Sequence, residues 1–197
     1  KTERTVLNLI GIPQTTIFNC KFLIADFNSN QNELNVESFD VEERYLKTDN
    51  KNQCKLIKKG ILPNYNYMIE TKYLDQGQEI TRRRIITARE YISLSQDRLD
   101  PEKIILIKER MSFMNENQHF IIDKFVNVDG ALSLLRIETE KEKDQVELPE
   151  FITAIREVTD EDKYSTYNIA SKDYLLPEDD KKAIEKKAQE VVEIKKI

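Results

Sequence analysis

In the sequence KIILIKERMSF at residues 103–113, apolar side chains recur at the alternate positions Ile105, Ile107, Met111 and Phe113, which is the pattern of a strand in an antiparallel sheet. Successive side chains of a strand point to opposite faces, so Lys108 and Arg110 share one face and Ile107 lies on the other. A similar strand-like segment, QHFIIDKFV, follows at 118–126 after the turn-prone sequence MNENQ. The short polar connection predicts that these two strands are antiparallel.

Segments of this kind recur along most of the chain and are separated by short polar or turn-prone sequences. Their number and spacing predict a mainly β protein, an antiparallel β-barrel or sandwich with flanking helices. The eight predicted strands cover residues 17–24, 38–47, 53–59, 65–73, 78–87, 103–113, 118–126 and 131–139.

The remaining segments predict helices and one irregular stretch. AREYISLSQDRL at 88–99 is a helical insertion, 160–173 has an acidic start and a helical apolar spacing, and 148–159 is strand-like or irregular. The tail from Pro177 to Lys196 predicts a helix with acidic residues in its first turn. This helix either docks on its own domain or binds a partner.

Composition excludes several common kinds of site. The four glycines lie far apart, so the chain contains no Gly-rich phosphate loop. The single histidine, His119, excludes a multi-histidine metal site, and we interpret it as a strand-face residue. Two cysteines, Cys20 and Cys54, exclude a Cys₄ zinc site and a disulfide framework, so we expect a reducing, intracellular and cytoplasmic environment.

No apolar run is long enough for a membrane span, and the net charge of −5 argues against general nucleic-acid binding. That charge is unevenly distributed. Residues 51–90 contain nine basic and four acidic side chains, whereas residues 138–163 contain ten acidic and four basic ones.

The alternation is compatible with two arrangements. In an ordinary sheet the apolar face is buried and the charged face is wet. In the alternative, the interior is polar, converging Lys and Arg side chains bind a polyanion such as a triphosphate, and carboxylates hold Mg²⁺ or Mn²⁺. The alternation alone leaves both open.

Short motifs follow one another in a fixed order between residues 17 and 172. They are Ile17–Leu23, Tyr45-Leu46, Lys55–Lys58, Glu70-Thr71-Lys72, Arg82–Ile85, Lys108-Glu109-Arg110, Asp123, Arg136-Ile137-Glu138 and Tyr164–Asn168. In this order they resemble the CYTH superfamily, the triphosphate tunnel metalloenzymes. The resemblance implies an eight-stranded antiparallel barrel that binds a triphosphate and a divalent metal in its interior.

Three stretches, at 115–120 (NENQHF), 148–159 and 164–168, more closely resemble the CYTH-like domain that follows an AAA-type NTPase in the TRPL-translocation-defect class. This resemblance divides the chain into three parts. Residues 1–16 end a preceding NTPase-like domain or form a linker, residues 17–173 form the CYTH-like barrel, and residues 174–197 form the C-terminal helix.

The resemblance also implies a set of phosphate-binding cations on the strands. These are Lys21, Lys55, Lys72, Arg82, Arg84, Lys108 and Arg110. The net charge of −5 would then be the sum of a cationic interior and an acidic exterior.

The metal site implied by the resemblance is degenerate. Ile17 and Asn19 stand where the family has the first-strand carboxylates, and Arg136 replaces the first carboxylate of the late pair. Glu138 and Asp123 remain as candidate ligands for Mg²⁺ or Mn²⁺, and zinc is not expected. No catalytic residue is predicted, and any residual hydrolysis would have to use Glu43, Asp123, Glu138 or Glu140.

Three functions follow from this pattern. The preferred one is a phosphate-binding or triphosphate-binding module, a pseudoenzyme whose ligand is a nucleotide or another phosphorylated molecule. The second is a scaffold, a structural subunit of a larger assembly that contacts protein partners through its acidic surface and C-terminal helix. The third is a metal-dependent triphosphatase.

Overall fold

The computed structural model describes residues 4–5, 16–28, 34–48, 52–140 and 146–194. The strands are β1 Arg4–Thr5, β2 Thr16–Phe27, β3 Glu37–Leu46, β4 Gln53–Ile61, β5 Asn64–Asp75, β6 Gln78–Ile86, β7 Leu106–Asn115, β8 Gln118–Phe125, β9 Ser133–Thr139 and β10 Ile152–Glu157. The helices are α1 Ala88–Asp97, α2 Thr166–Ile169 and α3 Glu178–Ile194, and a 3₁₀ turn spans Asp162–Tyr164.

The strands form one antiparallel sheet in the order β1-β2-β9-β8-β7-β3-β4-β5-β6, and β10 also pairs with β2. All eight predicted strands are present as β2–β9, with ends that differ by a few residues. The segment at 148–159 contributes the additional strand β10.

Hydrogen bonding does not close this sheet into a barrel within the described residues. β6 pairs with β5 on one side and is the last strand of the order. The sheet nevertheless curls. Five strands separate β2 from β5 in the order, yet Lys21 of β2 and Lys72 of β5 line the same cavity. The observed fold is therefore a curled antiparallel sheet, and the closed barrel stays a prediction.

Apolar side chains cover the outer face of the sheet in two places. Helix α1 packs Tyr91 against Leu56 and Ile86, and its N-terminus is fixed by a capping box between Thr87 and Glu90. Beneath β10, Phe113 and Phe120 stack with ring centroids 5.1 Å apart and pack with Ile152. These layers protect the outer face and leave the other face to polar side chains.

The segment after β10 packs over one end of the inner face. Tyr164, Ile169 and Ile184 form a buried cluster with Leu23 of β2 and Phe125 of β8. The predicted C-terminal helix is present as α3 and docks on its own domain. The 160–173 segment contains only the 3₁₀ turn and α2, because Ser165 caps α2 after the turn and Ala170 ends it.

The region assigned to the end of a preceding NTPase-like domain lies outside the described residues, apart from β1 and Thr16. In the part of the chain that the structure describes, no helix has the length and apolar character needed to cross a membrane.

Candidate functional site

Charged side chains occupy the inner face of the curled sheet, and we call this the interior face. It carries Lys108 and Arg110 of β7, Glu43 of β3 and Asp123 of β8. The strand register pairs Arg110 with Asp123 and pairs Glu43 with Leu106, two residues before Lys108 on the same face. The side chain of Lys108 is 0% exposed. Of the two arrangements that the alternation allowed, the polar interior is the one observed.

An ion-pair chain runs across the interior face through Glu43. Its Oε1 lies 3.0 Å from Lys108 Nζ and 3.2 Å from Lys55 Nζ, and Lys55 Nζ lies 3.3 Å from Glu70 Oε1. Burial raises the pKa of Glu43, but the charges of Lys108 and Lys55 outweigh burial and lower it from 4.5 to about 2. The Glu43 carboxylate is therefore ionised and engaged with two lysines.

A second ion pair continues this chain at Asp123. The Asp123 carboxylate accepts two hydrogen bonds from Arg110, of 2.5 and 2.6 Å, and lies 3.4 Å from Lys108 Nζ. Burial raises the pKa of Asp123, whereas Lys108 and Arg110 lower it, and the net effect is a pKa below the usual range. The interior face is thus not purely cationic, because these carboxylates already neutralise Lys55, Lys108 and Arg110.

A cavity of about 480 Å³ lies where β2 and β9 approach β5 and β6. We call it the basic cavity, because four cations line it: Lys21, Lys72, Arg83 and Arg136. The other lining residues are Asn19, Cys20, Glu79, Thr81, Glu138 and Thr159.

Two of these cations form no direct ion pair with a carboxylate of the described residues. Lys21 on β2 lies directly opposite Arg136 on β9, and neither makes an ion pair with a described residue. Lys21 Nζ donates to the carbonyl of Tyr164 at 3.2 Å, and the buried Nε of Arg136 has no hydrogen-bond partner. Buried donors are normally paired, so this position is suited to an anionic ligand.

Burial lowers the pKa of Lys21, and the nearby positive charges of Arg136 and Lys72 lower it further. Burial likewise lowers the pKa of Arg136, with a further contribution from Arg110. In contrast, Lys55 has a raised pKa, because its carboxylate neighbours outweigh burial. Repulsion between cations therefore distinguishes the basic cavity from the ion-pair chain beside it.

The other two cations of the cavity are partly neutralised. Lys72 Nζ lies 2.7 Å from Glu79 Oε1, and Arg83 Nε lies 2.6 Å from Glu70 Oε2. The side chain of Arg83 is 53% exposed, so its second guanidinium edge remains accessible from the cavity.

Five of the seven predicted cations lie on the interior face, in two groups. Lys21 and Lys72 line the basic cavity, and Lys55, Lys108 and Arg110 belong to the ion-pair chain.

Arg82 and Arg84, which were predicted to lie with the other five, point to the outer face. The Arg82 guanidinium lies 5.4 Å from the Tyr73 ring, and Arg84 pairs with Glu90 of α1 at 3.2 Å. In their place the register turns Arg83 inward, opposite Glu70. A shift of one residue exchanges the two faces of a strand, so three consecutive arginines do not reveal which one faces inward.

The interior carboxylates do not fit a divalent metal site. The described residues contain no group of three Asp, Glu, His or Cys side chains arranged to hold a metal ion. Of the two candidate ligands, Asp123 is held by Arg110 and Lys108, and Glu138 Oε2 lies 3.3 Å from His119 Nδ1. The described residues therefore offer no preassembled set of carboxylates for Mg²⁺ or Mn²⁺.

His119 joins a polar ladder at another part of the interior face. Its Nε2 lies 2.8 Å from Ser112 Oγ, and its Nδ1 faces Glu138. The order is that of a nucleophile, a base and an acid, but Ser112 is paired with Glu37 on one side and Ile121 on the other. The Ser112 backbone therefore lies within the sheet, paired on both sides, and does not offer free N–H groups for an oxyanion hole. We interpret Ser112, His119 and Glu138 as a cross-strand hydrogen-bond network rather than a catalytic triad.

No protein-family model and no curated protein matches this sequence. Solved structures with the same fold exist. A structure titled as the hypothetical protein NE1496 is 21% identical and has a TM-score of 0.59, covering 82% of this chain and 100% of that chain. A structure titled as the inorganic triphosphatase NE1496 is 19% identical with a TM-score of 0.58, covering 82% and 97%. The chain therefore shares the fold of NE1496.

Proposed function

We propose that this chain is a CYTH-like module that binds a linear phosphate chain, such as inorganic triphosphate, in the basic cavity. The observation that carries the proposal is the cluster of Lys21, Lys72, Arg83 and Arg136 around one cavity. Two of these, Lys21 and Arg136, have no carboxylate partner among the described residues. The shared fold with NE1496, which is titled an inorganic triphosphatase, supports the same ligand class.

The lining of the cavity favours recognition of phosphates over recognition of a nucleobase. The cations can donate several charge-assisted hydrogen bonds to phosphate oxygens, and the arginines can do so through two parallel N–H groups. No aromatic residue belongs to the described lining of the cavity, so it offers no ring for a base to stack on. We therefore expect inorganic triphosphate to bind at least as tightly as ATP.

A ligand in this position would join the two sides of the sheet. Lys21 and Arg136 belong to β2 and β9, whereas Lys72 and Arg83 belong to β5 and β6. An anion that contacts both pairs would draw β6 towards β2. The closed tunnel-type barrel implied by the family resemblance is thus proposed for the ligand-bound state.

Calorimetric titration with tripolyphosphate, pyrophosphate and ATP tests the proposal. We expect tripolyphosphate to bind, and we expect Lys72→Gln and Arg83→Gln each to weaken binding about tenfold, the effect of losing one charge-assisted contact. Arg82→Gln is the matched control, because Arg82 lies on the same strand but on the outer face. Absence of heat with every ligand, or equal losses in Arg82→Gln and Arg83→Gln, would contradict the proposal.

A phosphate-release assay and copurification from native extract, together with the titrations, separate the two other functions. A triphosphatase would release phosphate with Mg²⁺ or Mn²⁺ and would lose this activity in Glu138→Gln. A scaffold in a larger assembly, including one attached to an AAA-type NTPase, would bind none of the ligands and would copurify with its partner from native extract. The basic cavity favours binding without efficient hydrolysis, because its carboxylates are not grouped for a metal.

A further inference from the structure

Arg136 lies at the centre of the inner lining of the basic cavity. The register places it between Lys21 on β2 and Ile121 on β8, with Glu138 two residues further along its own strand and on the same face. Its Nε is buried and has no hydrogen-bond partner, although the guanidinium is a strong donor. Asp123 and Glu138 attract this guanidinium, but its buried Nε donates to no described group, so a phosphate oxygen is a suitable partner for it.

A guanidinium supplies part of what a bound divalent ion supplies to a phosphate. It carries a permanent positive charge, because even a lowered arginine pKa leaves the group protonated at neutral pH. It also offers two parallel N–H donors that match two oxygens of one phosphate. Arg136 can thus neutralise and orient a phosphate without an ion between the protein and the ligand.

A divalent ion would meet an unfavourable potential in the same place. Lys21 and Arg136 face the cavity without an ion pair to any described residue, and Lys72 and Arg83, although paired with Glu79 and Glu70, also line it. Of the two acidic residues of the lining, Glu79 pairs with Lys72 and Glu138 faces His119, and the described residues provide no cluster of metal ligands. The cavity therefore suits a free polyanion better than a metal complex of that polyanion.

We propose that the basic cavity binds its phosphate chain without a metal ion and that Arg136 provides the charge that a divalent cation would otherwise provide. This inference rests on the proposed phosphate-binding function. Its consequence is that Mg²⁺ opposes binding, because Mg²⁺ associates with the polyphosphate in solution and reduces the negative charge that the four cations recognise.

The test is a titration of the full chain with sodium tripolyphosphate in excess EDTA and, separately, in excess MgCl₂ at matched ionic strength. We expect binding in EDTA and an affinity at least about threefold weaker in Mg²⁺. In EDTA, Arg136→Gln should lose about tenfold in affinity, the loss expected for one charged bidentate contact. Arg82→Gln should bind as the unmodified chain does, because Arg82 lies on the outer face.

The outcomes separate this inference from the proposed function. Binding that occurs only with Mg²⁺ overturns the metal-free inference and leaves phosphate binding intact. Absence of binding in both buffers overturns the proposed function itself. Unchanged affinity of Arg136→Gln in EDTA also overturns the role of Arg136. The comparison of EDTA with Mg²⁺ uses the unmodified chain, so it does not depend on the folding of any variant.

Discussion

Lys21 of β2 and Arg136 of β9 face each other directly across two neighbouring strands, and both side chains line the same cavity. Like charges directly opposite each other in a sheet destabilise it. Asp123 attracts both cations, but its carboxylate is held in hydrogen bonds by Arg110. The repulsion between Lys21 and Arg136 therefore acts at the place where we propose that an anion binds.

The first prediction is that Arg136 lowers the free energy of unfolding of the ligand-free chain. We expect Arg136→Leu to raise the free energy of unfolding by about 1 kcal/mol, because it removes an unpaired buried donor and the repulsion with Lys21. Urea unfolding of the ligand-free chain measures this. Arg82→Leu, on the outer face, should change stability by less than about 0.5 kcal/mol. A clear loss of stability in Arg136→Leu would mean that Arg136 has a structural partner.

The second prediction concerns Lys108, whose side chain is completely buried between Glu43 and Asp123. Lys108→Met should lower the free energy of unfolding by about 3–5 kcal/mol, because it leaves two buried carboxylates with fewer partners. Lys124→Met is the matched control. Its 3.4 Å pair with Glu109 is exposed and should contribute no more than about 1 kcal/mol. Equal effects in the two variants would contradict the ion-pair chain.

The third prediction concerns acid stability. Glu43 has a pKa of about 2 in the folded chain, well below its ordinary value of 4.5, because Lys108 and Lys55 outweigh the effect of burial. A lowered carboxylate pKa stabilises the fold above the ordinary value, and this stability is lost as the pH falls towards the folded pKa. We expect the urea midpoint to fall between about pH 4.5 and pH 2. Asp123, whose pKa is also lowered, acts in the same direction.

The control for acid stability is Glu43→Gln, which removes one titrating group from the chain of ion pairs. This variant should be less stable at pH 7 and should show a smaller fall in acid, since it has less pH-dependent stability to lose. A pH profile identical to that of the unmodified chain would show that Glu43 is not linked to folding.

The fourth prediction concerns the alkaline limit of ligand binding. The pKa of Lys21 lies below 10.5, because of burial and then the charges of Arg136 and Lys72. A cation with a lowered pKa loses its charge at a lower pH, so tripolyphosphate affinity should begin to fall before the pH reaches 10.5. Calorimetry at several alkaline pH values measures the decline. Lys21→Arg should bind tripolyphosphate without this decline. A decline of the same size in that variant would show that another group is responsible.

The fifth prediction concerns the attachment of α3. Arg156 of β10 pairs with Asp180 at 2.8 Å and with Glu161, and Tyr164 donates to the same Asp180 carboxylate. We expect Arg156→Met to increase hydrogen exchange of the α3 amides, while amides of β7 and β8 keep their protection. Lys187→Met, which removes only an exposed pair with Glu190, should not change exchange near Asp180.

Alternation was sufficient to predict the strands and to place Lys108 and Arg110 on the same face of β7. That this face is the interior one was implied by the family resemblance and not by the alternation. In β7 the apolar residues Ile107, Met111 and Phe113 lie on the face opposite Lys108 and Arg110, so the pairing of these two cations on one face is clear from the sequence. In β6 the isoleucines lie on both faces: Ile86 is buried beneath α1, whereas Ile85 is 79% exposed. The pattern therefore did not reveal that Arg83, rather than Arg82 and Arg84, faces inward.

The partners of the interior cations could not be predicted either. Which carboxylate meets Lys55 depends on the register of three strands, and register follows from packing and turn geometry rather than from local sequence. Arg136 was recognised only as the loss of a carboxylate. Its position opposite Lys21, with an unpaired Nε, became visible once β2 and β9 were placed side by side.

Among the described strands, β6 pairs only with β5, and its other edge has a consequence for how copies of this chain behave at high concentration. An unpaired edge strand is a template onto which a second sheet can add, and natural proteins blunt such edges with charge. Arg82, Arg83 and Arg84 place positive charge on both faces of β6, so two such edges would repel each other on approach. We therefore expect the arginines of β6 to disfavour edge-to-edge pairing between copies of the chain, although Arg83 and Arg84 are partly neutralised by Glu70 and Glu90.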